Sequence, residues 1–483
     1  MKKSFILAYC SSLLLLTSAF AQTDYHTSVT VRKPTAEAIR SLEKDIPLLM
    51  EHSAIPGLSA ALIRDGKLVW KHNFGVMNAA TSQPVNDETI FEAASLTKVV
   101  TSYAVLKLVD AGKFNIDSPL NKYLGNNYDV GDDKRIDLIT ARRILTHTSG
   151  FPNWRSRNAK TLPINFTPGE RFSYSGEGFV YLSKVIEHLT NMKFEDYVKK
   201  TVFEPLGMKS SSFVWLDGYD KTVIYRHDWL GKMSFRSEEK GSNAAASMHT
   251  TAADYARFVI ALLNGEGLKK KTWEEMLTPQ IKSNDKKAPE VSWGLGIGLE
   301  TTEQGKYFWH WGDQGDSKCY VTANVQQKDA IVYFTNSSNG LTIAEEILDD
   351  AIGGKHEALV MLNYGKYDPS AEIFFQSVTD KGAGPALKEY REKRQQSGGK
   401  GIGENSINSI GYKLLGMKKV DDAIEVFKQN TTDFPESGNA WDSLAEGYMI
   451  KGDKESAIKY YEKSLQLDAG NSNAAEQIKK LKS

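Results

Sequence analysis

The most informative stretch of the sequence is 91–98, which reads FEAASLTK. Apolar residues follow it at the spacing of one helix face: Val99, Tyr103, Leu106 and Val109. Ser95 and Lys98 therefore lie on the first turn of a predicted helix, where positions i and i+3 share a face. The start of a helix also offers unpaired N–H groups and a positive potential. A neutral lysine there can accept the proton of the serine hydroxyl, which predicts a nucleophilic serine.

The Ser-x-x-Lys spacing is not specific by itself, because five other pairs in the chain share it: Ser41/Lys44, Ser237/Lys240, Ser283/Lys286, Ser397/Lys400 and Ser456/Lys459. What distinguishes 91–98 is a set of companion segments in order along the chain. These are LTHTSG at 145–150, PGERFSYS at 168–175, FEPLGM at 203–208 and WHWG at 309–312. They supply Tyr174 just after a loop, and His310 with Gly312 at the end of a predicted strand.

Together these segments resemble the motifs of the penicillin-recognising serine hydrolases, which include class C β-lactamases, DD-peptidases and family VIII carboxylesterases. The resemblance spans roughly residues 37–352. It implies that Ser95 is the nucleophile of an acyl-enzyme and that Lys98 is its activating partner. Tyr174 matches the family tyrosine, which serves as the base on the serine or as the proton donor to the leaving group. The choice of base between Lys98 and Tyr174 stays open at this point.

The same resemblance implies a set of substrate-binding positions. His310 and Gly312 match the third motif, which lines the edge of the pocket. The backbone N–H groups of Ser95 and Asp313 are expected to hold the developing oxyanion. His147 is expected to be structural and to fix its own turn.

The second motif departs from the family pattern. The family has Tyr-x-Asn there, whereas this chain has Tyr174 followed by Ser175 and Gly176. A glycine cannot make the hydrogen bonds that the amide makes to Lys98 and to the acylamide oxygen of a substrate. This departure favours simple ester hydrolysis over action on β-lactams or peptides. The bulky Trp311 in the third motif is expected to narrow the acyl pocket.

The pattern of strands and helices predicts an α+β fold for the first part of the chain. Two strands flank the hairpin turn Asp65-Gly66, and four more follow near the end of this part, at 293–299, 306–311, 318–325 and 330–336. Consecutive strands joined by short turns indicate an antiparallel sheet, and the helical middle indicates a separate lobe. We assign residues 22–365 to this β-lactamase/transpeptidase-like domain.

The C-terminal part repeats itself at a period of 34 residues. The matched positions are Ile407/Trp441, Ile410/Leu444, Gly411/Ala445, Leu414/Tyr448, Ala423/Ala457, Phe427/Tyr461 and Pro435/Ala469. This pattern resembles tetratricopeptide repeats, in which small residues let paired helices pack closely. Ala386 and Tyr390 indicate an earlier, poorer copy. We assign 366–483 to an all-α repeat domain. It either binds a protein or peptide partner in its groove, or packs against the hydrolase domain or a second copy of the chain.

The first 21 residues have the features of a secretory signal peptide, with two lysines, a short apolar core and small residues before Gln22. The mature protein is therefore expected to be exported, either periplasmic or secreted. Cleavage leaves Cys319 as the lone cysteine, so no internal disulfide is expected. No later apolar run reaches the length of a membrane-spanning helix.

Composition and motifs exclude several other functions. Sixty basic residues balance sixty acidic ones among 483, which gives no support for a nucleic-acid partner. The nine histidines are scattered, and no metal or cofactor motif is present. We therefore expect a serine hydrolase without metal or cofactor that acts on a small ester, amide or peptide. The first hypothesis is a carboxylesterase-like activity. The alternatives are β-lactamase or D-amino-acid peptidase activity, or an inactive hydrolase fold that serves as a binding scaffold.

Overall fold

The computed structural model describes residues 32–156, 159–238, 240–468 and 470–482. The predicted signal peptide at 1–21 lies outside these residues. The strands are β1 Gly57–Arg64, β2 Lys67–Asn78, β3 Gln83–Pro84, β4 Phe91–Glu92, β5 His249–Thr250, β6 Ile281–Lys282, β7 Ser292–Trp293, β8 Gly298–Thr302, β9 Gly305–Asp313, β10 Lys318–Asn324 and β11 Asp329–Thr335.

The helices of the first part of the chain are α1 Thr35–His52, α2 Thr97–Asp110, α3 Leu120–Leu124, α4 Ala141–Leu145, α5 Glu177–Thr190, α6 Phe194–Val198, α7 Tyr219–Thr222, α8 Ala252–Asn264, α9 Lys270–Met276, α10 Ala344–Ala351 and α11 Glu357–Leu362. Those of the C-terminal part are α12 Ser370–Lys381, α13 Ala383–Gln396, α14 Glu404–Gly416, α15 Val420–Asp433, α16 Gly438–Lys451, α17 Lys454–Leu467 and α18 Ser472–Lys482.

Nine strands form one antiparallel sheet in the order β3-β2-β1-β11-β10-β9-β8-β7-β6. Helices cover both faces, so the central strands are buried on each side. In β11, Val332 and Phe334 belong to the core beneath the helical lobe, whereas Ile331 and Tyr333 belong to the core beneath α1 and α10. This alternation is the period of two that a strand imposes on its side chains. The predicted α+β class, with an antiparallel sheet and a helical lobe, is confirmed.

The strand predicted at 293–299 is interrupted, which is the main correction to the predicted sheet. Strand β7 ends at Trp293 and β8 begins at Gly298. Gly296 lies between them with φ +79°, and a Cβ there would lie 1.7 Å from Ser102 Oγ on helix α2. The Gly296 N–H donates to the Leu145 carbonyl oxygen. The chain leaves the sheet at this point because it packs against the helical lobe too closely for a side chain.

Paired helices make up the C-terminal part, as the repeat predicts. Helices α14 and α15 approach so closely that a Cβ on Gly411 would lie 2.2 Å from the Phe427 ring. Ala386 and Tyr390 of the poorer copy are buried in helix α13, which packs against α12. The predicted boundary between 365 and 366 falls between α11 and α12. No helix in the described part of the chain is long and apolar enough to span a membrane.

The repeat helices pack against the hydrolase domain. The Trp229 ring lies 5.7 Å from that of Phe375, in edge-to-face geometry. Lys413 on α14 forms an ion pair with Asp228, which is next to Trp229 in the sequence. Asn339 Nδ2 in turn donates to the Trp229 carbonyl oxygen at 2.9 Å. Of the two predicted uses of the repeats, contact with the hydrolase domain is therefore present, and peptide binding stays a prediction.

Candidate active site

Ser95 lies in a tight turn that leads from β4 into α2. The turn is a single 3-10 segment, Ala94–Leu96, and Ala94 has a φ of +43°, in the left-handed region where an alanine is strained. Contacts on both sides hold it: the Ala93 N–H donates to the Met248 carbonyl oxygen at 2.8 Å, and Thr97 Oγ1 donates to the Ala94 carbonyl oxygen. The Ser95 N–H, in the first turn of a helix, has no intrahelical acceptor. The serine is thus held in place with an N–H available beside its hydroxyl.

Lys98 lies one turn further along α2 and contacts Ser95 as its spacing predicts. Its side chain is fully buried, and its Nζ lies 3.0 Å from Ser95 Oγ and 2.9 Å from the Ala245 carbonyl oxygen. Burial lowers the pKa of Lys98 to about 7. A neutral amine can donate one hydrogen to the Ala245 carbonyl and still direct its lone pair at the Ser95 hydroxyl. This arrangement is suited to removing the serine proton near neutral pH.

Tyr174 packs directly against this amine, with its ring centroid 4.8 Å from Lys98 Nζ. Burial raises the pKa of Tyr174 well above its ordinary value, and the nearby Ser95 hydroxyl lowers it only in part. The phenol is therefore protonated at neutral pH. Its hydroxyl makes no hydrogen bond of normal geometry within the described ranges. A buried, protonated hydroxyl next to the nucleophile is suited to giving up a proton.

His310 lies on β9 behind this cluster. Its ring is fully buried and lies 6.2 Å from the Tyr174 ring. Burial, and then the charge of Lys98, lower the pKa of His310 to about 3, so the imidazole is neutral. Its Nδ1–H donates to the Trp311 carbonyl oxygen at 2.8 Å, which leaves a lone pair on Nε2. The predicted pocket-edge residue therefore faces Lys98 and Tyr174 from within the domain.

Gly312 brings the end of β9 against the nucleophile turn. A Cβ at this position would lie 2.3 Å from Cys319 Sγ and 2.7 Å from the Ala93 carbonyl oxygen. Only a residue without a side chain fits there. Gly312 thus fixes the distance between the third motif and Ser95.

Asp313, the last residue of β9, pairs with Lys318 of β10. The next pair of facing residues, Gln314 and Ser317, is a hydrogen-bonded pair of the ladder, because the Gln314 N–H donates to the Ser317 carbonyl oxygen at 3.0 Å. Ladder hydrogen bonds alternate along an antiparallel pair, so the Asp313 N–H faces away from β10. Strand β8 on that side pairs with β9 only as far as Trp309. The amide that the sequence assigns to the oxyanion site is therefore not used in either ladder.

His147 is structural, as predicted, but its role extends beyond its own turn. Its Nδ1 accepts a hydrogen bond from the Ser175 N–H at 3.0 Å, and its carbonyl oxygen accepts one from the Ser173 N–H at 2.8 Å. Its ring also lies 4.2 Å from that of Tyr174. His147 therefore positions the loop that carries Tyr174. The sequence could not reveal this, because 28 residues separate His147 from Ser175.

No motif in the sequence marks Trp154 as part of the site. A Cβ on Gly176 would lie 2.8 Å from Cη2 of Trp154, so the indole occupies the space next to this glycine. Trp154 also lines a cavity of about 190 Å³, together with Asn243, Ser247 and Gln314 among others.

A larger groove, of about 1170 Å³, lies between α10, 354–366 and the β8–β9 turn, away from Ser95. Within the described residues, no cluster of three or more histidine, cysteine or acidic side chains could hold a metal ion.

Comparisons with known proteins agree with this geometry. The profile of the Beta-lactamase family matches residues 42–351, more than half of the chain, and that of the tetratricopeptide repeat matches 438–471. Penicillin-binding protein 4* of Bacillus subtilis (strain 168) is 23% identical over 322 residues, which cover 59% of this chain and 69% of the relative. Protein flp of Staphylococcus aureus (strain N315) is 25% identical over 213 residues, 41% of this chain and 42% of the relative, so the chain spans less than half of that protein.

Solved structures show the same fold. The octameric penicillin-binding protein homologue from Pyrococcus abyssi is 25% identical with a TM-score of 0.57, and the match covers 70% of this chain and 82% of that one. A class C beta-lactamase is 20% identical with a TM-score of 0.58, and covers 66% of this chain and 98% of its own. The chain therefore belongs to the Beta-lactamase family of serine hydrolases, with a tetratricopeptide repeat at its C-terminal end.

Proposed function

We propose that this protein is an exported esterase that works through an acyl-enzyme on Ser95. The observation that carries the proposal is the contact of 3.0 Å between Ser95 Oγ and Lys98 Nζ, with the pKa of the lysine lowered to about 7. Export rests on the leader-like residues 1–21 alone.

In the proposed reaction Lys98 is the base and Tyr174 the acid. Lys98 takes the proton of the Ser95 hydroxyl as Oγ bonds to the ester carbonyl carbon, and the N–H groups of Ser95 and Asp313 hold the oxyanion. The carbon–oxygen bond to the leaving group then breaks, and the leaving oxygen takes the phenolic proton of Tyr174. Lys98 returns its proton to Tyr174, which restores both groups. Water then attacks the acyl carbonyl carbon, as Tyr174 passes its proton to Lys98 and takes one from the water. The bond from the acyl carbon to Ser95 Oγ breaks, and Lys98 returns its proton to the serine.

Tyr174 is a poor choice of base here because burial raises its pKa and lowers that of Lys98. Burial alone accounts for the lowered pKa of Lys98, and for Tyr174 burial outweighs the opposite effect of the Ser95 hydroxyl. These opposite shifts support Lys98 rather than Tyr174 as the base in this proposal.

An ester is favoured over an amide or β-lactam because Gly176 supplies no amide for an acylamide oxygen. The second candidate is action on β-lactams or on peptides that end in D-amino acids. Names among the relatives favour it, since they include a penicillin-binding protein and a D-alanine carboxypeptidase from Burkholderia cenocepacia. The third is a catalytically inactive fold that presents a binding surface together with the repeats.

The test is the intact mass of the protein after treatment with a fluorophosphonate serine probe. We expect one adduct in the wild type, none in Ser95→Ala, and one in the matched control Ser283→Ala, which removes a serine with the same spacing to a lysine. Turnover of p-nitrophenyl acetate should exceed that of a chromogenic cephalosporin, and its kcat/KM should rise with pH through about 7 as Lys98 loses its proton. Absence of any adduct in folded wild type would favour the scaffold, and preferred cephalosporin turnover the second candidate.

A further inference from the structure

The space beside Gly176 is filled by an aromatic ring. A Cβ on Gly176 would lie 2.8 Å and 2.9 Å from Cη2 and Cζ3 of Trp154, and 2.9 Å from the Asn153 carbonyl oxygen. The same ring lies 5.8 Å from Lys98 Nζ. The indole thus occupies the position into which the side chain of a larger residue at 176 would project. Trp154 thus places a flat apolar surface beside the second motif and near the catalytic lysine.

Both sequence neighbours of Trp154 are anchored to the start of helix α5. The Asn153 carbonyl oxygen accepts hydrogen bonds from the N–H groups of Gly176, at 3.0 Å, and Glu177, at 3.1 Å. The Arg155 N–H donates to Glu177 Oε1 at 3.1 Å, and the Arg155 guanidinium forms ion pairs with Glu177 and Asp129. With the residue on each side fixed, the backbone of Trp154 has little freedom. The ring is therefore held in place before any ligand arrives.

Trp154 nevertheless leaves much of its surface uncovered. It is 46% exposed, whereas Trp293 and Trp309 nearby are 0% exposed. It lines the cavity of about 190 Å³, and the residues that line it with Trp154 are mostly polar, among them Asn243, Ser247 and Gln314. Asn243 is two residues from Ala245, whose carbonyl oxygen binds Lys98. A fixed ring that is partly exposed, lines a polar cavity and lies 5.8 Å from Lys98 Nζ is an arrangement for stacking a planar group.

We propose that Trp154 binds the acyl group of the substrate by stacking, so that the enzyme prefers esters of aryl or arylalkanoic acids over aliphatic esters of similar size. This inference rests on the proposed esterase function. Aromatic pairs contribute roughly 0.5–1.5 kcal/mol beyond their buried area, which corresponds to a preference of about 2- to 12-fold.

The experiment compares ethyl phenylacetate with ethyl hexanoate, followed by acid release, so that the leaving group is not aromatic. We expect Trp154→Ala to lower the ratio of kcat/KM for ethyl phenylacetate to kcat/KM for ethyl hexanoate by about 3- to 10-fold, because KM for the phenylacetate rises. Trp154→Phe should retain most of the preference for the phenylacetate. Trp441→Ala removes an indole from the repeat domain and should leave the ratio unchanged. An unchanged ratio in Trp154→Ala, with turnover preserved, would overturn the inference.

A second measurement separates the inference from the proposed function. In the Ser95→Ala background, calorimetry gives the affinities of phenylacetate and hexanoate without any turnover. We expect tighter binding of phenylacetate, and loss of that preference in the double variant with Trp154→Ala. If the wild type hydrolyses neither ester but this preference is found, the esterase proposal fails and the stacking site stands. If the preference is absent, the stacking site fails whatever the turnover.

Discussion

Replacing Lys98 by methionine should stabilise the folded protein at neutral pH and abolish turnover. Lys98 is fully buried, and burial lowers its pKa to about 7, whereas a lysine in an unfolded chain titrates near ~10.4. At neutral pH, folding must therefore either remove the proton from this side chain or bury its charge. Methionine is an apolar side chain of similar length, so its burial carries no cost of deprotonation or of burying a charge.

The magnitude follows from the difference in pKa between the two states. From 10.5 to about 7 is a shift of about 3.5 units, or about 5 kcal/mol in total. Between about pH 7 and pH 10 the unfolded state keeps the Lys98 proton that the folded state has lost, so the stability of the wild type rises with pH, by about 3.5 kcal/mol. The variant lacks this increase. It also leaves the Ala245 carbonyl without its partner, a loss of about 1–3 kcal/mol that does not depend on pH.

The variant should thus be more stable than the wild type by about 1–3 kcal/mol at pH 7, and less stable by up to about 2 kcal/mol at pH 10. Urea unfolding followed by circular dichroism at both pH values measures the two free energies of unfolding. Burial, the larger cause, still lowers the pKa of His310 when the charge of Lys98 is removed, so this imidazole is neutral at both pH values in both proteins. Groups away from Lys98 titrate alike in the two proteins and cancel in the difference. Lys113→Met, an exposed lysine just beyond the same helix, is the matched control and should show no such change. A difference between Lys98→Met and wild type that stays constant with pH would refute the neutral lysine, and with it the proposed base.

Three further substitutions test the site. Tyr174→Phe should lower turnover by roughly 10²- to 10⁴-fold for an ethyl ester but much less for a nitrophenyl ester, whose leaving group needs no proton; equal losses would argue against Tyr174 as the acid. Gly312→Ala should lower stability by about 1–3 kcal/mol, because its Cβ would meet Cys319 Sγ at 2.3 Å; calorimetry would show partial recovery in the double variant with Cys319→Ala. Gly176→Ala should lower the Tm because its Cβ would meet the Trp154 ring at 2.8 Å and the Asn153 carbonyl oxygen at 2.9 Å. Combination with Trp154→Ala should restore the Tm in part, because the carbonyl contact stays; no recovery would show that the ring is not a source of the strain.

The sequence predicted the fold class because alternation and repeat spacing are local patterns. Strand β11, expected at 330–336, is found at Asp329–Thr335, and its alternate residues enter the two cores as a strand requires. The prediction failed at 293–299, where apolar alternation continues past Trp293 but the backbone does not stay in the sheet. Contact with helix α2 interrupts the strand at Gly296, and no local pattern reports a contact across nearly two hundred residues.

The sequence by itself determined the pair at the centre of the site. Ser95 and Lys98 meet because residues three apart share a face of any helix, and Gly411 allows its helices to pack because a small residue recurs there with the period of the repeat. Only the tertiary structure decided what this pair can do. The pKa of Lys98 depends on burial by segments far away in the chain. The space beside Gly176 is filled by the ring of Trp154, which belongs to another loop. Local geometry is set within one turn of chain, whereas desolvation and steric exclusion arise only when distant segments pack together.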